Sequence, residues 1–374
     1  MKKSIFFTLI IPIAFAISCN DDEESGTPLN AEQAQVSMDN LGTDMSDDVV
    51  NMIQSDGVEA MNDLFALLDV SDPFNGRLAE LDQEGRKKWF KSRSMLFKTI
   101  FVPAKSVDFN RVQEDGDFDF EGNKGIYDWD AEAEEFVKSQ ESSDIIVINF
   151  PAGESETNNV SLRINDYTEK AIEEEDDFFP GEIDIYYVPT KISAELSVDE
   201  TVQIKLDFAA SYNTIGDPVS GNASLFLNPY NFTVNFDDSQ SASATLSASI
   251  TEGDAVITSA DLTVTFQSAD KEEVKEASGF VQYMNIKLQG NINAQELDTE
   301  DEDVDVNEFI NLELFDGANK VGDIVIEEEE DEDGYEEEVP YVVYADGSKE
   351  KLEDILQPAI DEVDGEFDNW DFGD

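Results

Sequence analysis

The chain has 374 residues, with 87 acids against 23 basic residues and a formal net charge of −64. A surface of that charge repels nucleic acid and anionic lipid and favours cations, basic partners and solubility. The absence of histidine excludes Ser-His-Asp and Cys-His nucleophilic systems and removes the usual zinc and transition-metal ligands.

The first element is an address. Lys2 and Lys3 form a positive n-region, Ser4 to Ala16 an apolar h-region too short to span a bilayer, and small residues lead to the only cysteine, Cys19. Ala16-Ile17-Ser18-Cys19 resembles the lipobox of bacterial lipoproteins, with Ala rather than the commoner Leu three residues before the cysteine. The resemblance implies that residues 1–18 are removed and that the Cys19 thiol carries a diacylglyceryl group. Several acyl chains at about 0.8 kcal/mol per buried CH₂ anchor far more firmly than one. Asn20-Asp21-Asp22-Glu23-Glu24 then resembles the acidic signal that sends lipoproteins of Bacteroidota-type Gram-negative bacteria to the outer face of the outer membrane. The resemblance covers about the first 25 residues and bears on address, not activity. The mature chain would keep 374 − 18 = 356 residues at a charge of −64 − 2 = −66, since Lys2 and Lys3 leave with the signal. With Cys19 acylated, no thiol remains for disulfide, redox, iron–sulfur or haem-thiolate chemistry.

Residues 19–30 read as an acidic tether and 31–105 as a helical region. Val36, Leu41, Met45, Val49, Met52 and Ile53 recur at helical spacing, Asp56-Gly57 breaks the pattern, and Met61, Leu64, Phe65 and Leu68 resume it. A further helix is predicted over 84–101, carrying Trp89, Phe90, Leu96, Phe97 and Ile100. Around it Arg77, Arg86, Lys87, Lys88, Lys91, Arg93 and Lys98 form a basic run in an acidic protein. Its simplest role is an internal counter-charge; a contact for an acidic partner or lipid headgroups is the other.

From 106 to 345 the period becomes two, which predicts an antiparallel β domain. Asp144 to Phe150 is a buried-strand type. Ile192 to Val198 and Val202 to Phe208 flank Asp199-Glu200 as a hairpin. Further strands are predicted around Val160 to Ile164, Ile183 to Tyr187, Leu225 to Leu227, Phe232 to Phe236, Leu246 to Ile250, Ala260 to Phe266, Phe280 to Leu288, Val304 to Leu314, Asp323 to Ile326 and Tyr341 to Tyr344. Residues 346–374 read as a C-terminal helix and acidic tail, with Ser348 as N-cap and a stripe of Leu352, Ile355, Leu356 and Ile360. The expected class is α+β: N-terminal helices, a large antiparallel meander and a C-terminal helix. A curved sheet or half-barrel is the favoured arrangement, a β-sandwich the alternative.

Three acidic runs suggest oxygen ligands for calcium, the one cofactor this composition suits. They are Asp115, Asp117 and Asp119; Asp301, Asp303 and Asp305; and Glu327 to Gly334. None fits the EF-hand pattern: Val306 and Pro340 stand where glycine and the bidentate glutamate belong, so solvated faces and edge-protecting charge are the simpler reading. Tyr127, Trp129 and Phe136 flank a predicted hairpin, where cross-strand packing is simpler than sugar stacking; the same holds for Tyr186, Tyr187 and Tyr230. Trp370 is a docking candidate in the tail. No phosphate-binding or dinucleotide fingerprint occurs.

The expectation is an outer-membrane-anchored, surface-exposed lipoprotein, non-enzymatic, with a binding or structural role and no catalytic, cofactor or metal residue. Its assigned site is the lipid attachment at Cys19. The partners expected are the membrane and a glycan or protein at the cell surface, with no nucleic acid. Two alternatives stand beside it: a periplasm-facing carrier of lipid or another apolar ligand, with Met38, Met45, Met52 and Met61 as adaptable lining, and a carboxylate-dependent enzyme acting on glycans.

Overall fold

A computed structural model describes residues 29–30, 32–33, 36, 48, 50–52, 54–71, 119–175, 183–269, 271, 273–297, 305–330 and 336–355. Cys19, the acidic tether up to Pro28, the basic run from Arg77 to Lys98 and the tail with Trp370 lie outside the described residues.

Among the described residues helix is sparse. It comprises α1 (Asp56–Val70), α2 (Phe120–Asn123), α3 (Ala294–Leu297), a 3₁₀ turn at Val306–Glu308, and helical residues at 32–33, 36, 48, 50–52 and 352–355, those before 53 in the region expected to be helical. Sixteen strands form one hydrogen-bonded order: β16-β15-β14-β13-β12-β11-β10-β9-β8-β7-β6-β5-β4-β3-β1-β2. This is the α+β, largely antiparallel architecture expected from the alternating pattern. The meander breaks once. β1 (Gly125–Asp130) pairs with β2 (Glu135–Glu141) as a hairpin but lies parallel to β3 (Ile146–Phe150), because the chain passes back across β1.

Contacts divide the chain into two compact units. In the second unit, the described residues of 51–71 and 119–235, α1 supplies the cover and the sheet supplies the base. Ala60, Leu64 and Leu68 recur at helical spacing and are buried against Ile146, Ile148, Phe150, Val160 and Leu196. These sheet residues share a face by register: Ile148 opposes Leu162, which opposes Leu196, which opposes Ile204 along β4 (Val160–Glu175), β5 (Ile183–Val198) and β6 (Thr201–Tyr212). Burying one leucine there contributes about 1.5–3 kcal/mol. The helix begins at Asp56, not at a break there. Gly57 sits in the first turn because a Cβ would come within 2.8 Å of Ile204 Cγ1. Asp63 reaches from the helix to accept the Gly153 N–H at 2.8 Å. The predicted hairpin at Asp199-Glu200 is present, with both residues in the left-handed region (φ 48° and 65°), as a two-residue turn requires. β7 (Pro218–Leu227) completes this unit beside β6, and β8 (Tyr230–Asp237) lies at the division.

The first unit holds the described residues of 29–50 and 236–355. Its strands are β9 (Ser243–Glu252), β10 (Ala255–Phe266), β11 (Val274–Tyr283), β12 (Ile286–Ile292), β13 (Ile310–Asp316), β14 (Asn319–Glu330), β15 (Glu336–Tyr344) and β16 (Lys349–Lys351). Each pairs antiparallel with the next. Leu312, Ile324 and Val342 align across three strands and are buried together. Gly290 faces Leu312 at φ 151°, where a Cβ would meet the Asn311 carbonyl oxygen at 1.7 Å. The stretch from Phe280 to Leu288, expected as one strand, is a hairpin turning at Met284-Asn285. Periodicity alone cannot locate a turn that lacks glycine and proline. The stretch from Val304 likewise opens with the 3₁₀ turn before β13.

Four turns gather at one end of this unit: Gly253-Asp254, Met284-Asn285, Gly317-Ala318 and Ala345 to Ser348. The turns after β10, β12 and β14 lie at the other end. The last turn at the first end corrects a helix expectation. Ser348 donates both its N–H and its hydroxyl to Asp346 and leads into β16, so it caps no helix; the expected C-terminal helix begins at Leu352 instead. Described residues of the N-terminal segment, Leu29 and Asp48 among them, bond to strands of the unit. The Leu29 N–H donates to the Lys320 carbonyl at 3.0 Å, and the Tyr283 hydroxyl donates to Asp48 at 2.8 Å.

Candidate functional site

The most unusual local chemistry is a ribbon of glutamates at the far end of β14 and β15. β13 leaves β14 at Ile324, and Asn307 of the 3₁₀ turn takes its place. The Asn307 side chain donates to the Ile326 carbonyl at 2.9 Å and accepts the Ile326 N–H at 2.7 Å. The register then runs Glu327 to Val339, Glu328 to Glu338, Glu329 to Glu337 and Glu330 to Glu336. Like charges directly across a ladder destabilise it, so the ribbon needs compensation.

One face has it. Lys349 of β16 pairs with Glu327, and Lys351 pairs with Glu329 at 2.5 Å. The Tyr341 hydroxyl also donates to Glu329. Its ring lies under both ammonium groups, 4.4 Å from Lys349 Nζ and 6.0 Å from Lys351 Nζ. The Lys351 contact, with the Tyr341 bond, holds the Glu329 carboxyl below its usual range. The same bond raises the Tyr341 hydroxyl. The other face has Glu328 against Glu338. Burial pushes the Glu338 carboxyl up to about 7, and the Glu328 charge adds to the rise. The face can therefore hold a proton near neutrality.

By sequence, 327–334 reads as a solvated run that protects a sheet edge by its charge, with calcium as the alternative. That reading misses Glu338, Tyr341 and the two lysines as partners, because nothing in EEEE or KEK says which strand pairs with which.

The other candidate carboxylates are structural where they are described. Asp119 accepts the Gly122 N–H at 2.8 Å and caps α2, and Asp305 accepts the Asn307 N–H at 3.0 Å. Asp115, Asp117, Asp301 and Asp303 lie outside the described residues. Among the described residues no group of three or more acids, cysteines or histidines could hold a metal ion.

The aromatics pack. Tyr127 and Phe136 are buried in the second unit's core, and Trp129 meets Phe136 edge-on at 5.1 Å. Tyr230 is buried and Tyr187 half-buried. Met52 is buried and Met61 packs against the core, while Met38 and Met45 lie outside the described residues. No described helix is long and apolar enough to cross a membrane. No family model, no curated protein and no solved structure matches the chain.

Proposed function

We propose that this protein is a lipoprotein of the bacterial outer membrane, held by acyl chains on Cys19 and displayed on the outer face, where it serves as a non-enzymatic binding or structural component. The observation that carries the reading is the position of the only cysteine: it closes Ala16-Ile17-Ser18-Cys19 after a short apolar run and stands directly before Asn20-Asp21-Asp22-Glu23-Glu24. A thiol placed by chance in a 374-residue chain would seldom fall at that junction. The composition supports the non-enzymatic part. Without histidine or a free thiol, the common nucleophilic and metal-assisted mechanisms lose their usual groups.

Two measurements test the reading. Mass spectrometry of the mature N-terminus should find Cys19 acylated, and Cys19→Ser should release the chain from the membrane. Protease shaving of intact cells, beside a periplasmic control protein, then reads the face. Digestion in intact cells supports display. Protection until lysis turns the acids into a tether and moves the lipid-carrier reading forward, with lipid extraction of the purified protein as its test. Clean turnover of a glycan would overturn the non-enzymatic reading.

A further inference from the structure

We propose that the start of β15, Glu336 to Glu338, is a pH-responsive strand end: it is zipped to β14 in acid and peels away as the pH rises to neutrality, as far as a stop at Tyr341. The first observation is how little holds this end. β13 pairs with β14 no further than Ile324, and β16 pairs with β15 only from Tyr341 to Val343. Beyond them, among the described residues, the ribbon is two strands with no further strand on either side. Two strands alone are marginal in water.

The second observation is what the ribbon places on the core face. Sheet parity carries the row of Leu312, Ile324 and Val342 outward to Ile326 opposite Pro340, and then to Glu328 opposite Glu338. Ile324, Ile326 and Val342 are buried, so an apolar row ends in two facing carboxyl groups. A proton on Glu338 removes the cost of burying its charge and the repulsion from Glu328. Peeling removes both costs another way, by letting Glu338 ionise in water.

The charged groups around Glu338 favour this outcome. Glu328 faces it from β14, and the register sets Glu330 and Glu336 one pair further out. Asp305 and Glu308 belong to the 3₁₀ turn beside β14, where Asp305 accepts the Asn307 N–H. From β16, Glu350 accepts the Tyr344 hydroxyl at 2.9 Å. Asp354, just past β16, acts on Lys351. The nearby cations are Lys349 and Lys351, and they lie on the opposite face. There they reach over the Tyr341 ring to Glu327 and Glu329, which straps β15 down at Tyr341 and keeps β14 in place.

Burial, with the Glu328 charge, raises the zipped Glu338 carboxyl from 4.5 to about 7. Below about pH 4.5 both forms hold the proton. Between there and about pH 7 only the zipped form does, so peeling grows; above about pH 7 the response levels off.

Hydrogen exchange of the full chain at about pH 5 and about pH 8, corrected for the intrinsic pH dependence of amide exchange, tests the proposal. Protection of 328–330 and 336–338 should fall at least about tenfold between the two, while 341–343 and 312–314 hold. Glu338→Gln should keep the ribbon protected at both. Protection that does not change with pH, a loss shared equally by 341–343 and 312–314, or a parent-like response in Glu338→Gln overturns the proposal.

Discussion

Glu338 lies directly across the β14–β15 ladder from Glu328, and burial with that neighbour raises its carboxyl to about 7. On the opposite face Lys349 and Lys351 take up the charges of Glu327 and Glu329. The ribbon is thus compensated by lysine on one side and by protonation on the other. In the folded protein Glu338 keeps its proton to higher pH than in the unfolded chain, where its value is near 4.5. Its contribution is therefore fully present below about pH 4.5 and is lost as pH rises to about 7.

Glu338→Gln should flatten that slope. The variant should melt at the same temperature as the parent near pH 4, and at a higher temperature than the parent at pH 8. Solvent screening at this half-buried site keeps the gain modest. Thermal melts across pH, taken as variant minus parent, give the answer; a difference that does not change with pH would place the raised carboxyl elsewhere.

Leu64 is 2% accessible at the centre of the contact between α1 and the sheet. Leu64→Ala leaves a cavity between helix and strands and should cost about 2–5 kcal/mol. Urea unfolding followed by the fluorescence of Trp129 would report it, since Trp129 packs against the same core. A loss below about 1 kcal/mol would mean that the helix does not seat as described.

Gly290 has no room for a side chain: a Cβ would overlap the Asn311 carbonyl oxygen, and φ 151° suits glycine alone. Gly290→Ala should disrupt the pairing of β12 with β13 at a cost above about 4 kcal/mol. Hydrogen exchange of the Leu288 and Leu312 amides should rise in the variant while those of Ile148 and Leu162, in the other unit, hold. Unchanged protection throughout would contradict the register.

Asp119 serves the Gly122 N–H as a helix cap. Asp119→Ala should cost about 0.5–2 kcal/mol whether or not calcium is present. Melts with calcium and with a chelator separate the two roles, because a stability difference that appears only with calcium would restore the acid run as a metal site.

The sequence by itself determined the broad class. The apolar run from Asp144 to Phe150 reads as a buried strand, and alternation at Val160, Leu162 and Ile164 and at Ile192 to Phe208 buries one face as strands. Cross-strand packing of Trp129 on Phe136 was legible for the same reason. The resemblance at Ala16-Ile17-Ser18-Cys19 is local by nature and needs no fold to be read. Pairing was decided elsewhere. The turn at Met284-Asn285 carries no glycine or proline, and Ser348, which reads as a helix cap, serves a turn. Neither is settled until a neighbouring strand claims the backbone hydrogen bonds on each side. The glutamate ribbon shows the same limit. Four consecutive glutamates read as a solvated, edge-protecting face, yet Tyr341 of β15 and Lys349 and Lys351 of β16 meet them from two other strands. Long-range pairing sets which charges meet, and that information lies in the tertiary register, not in the local spacing of residues.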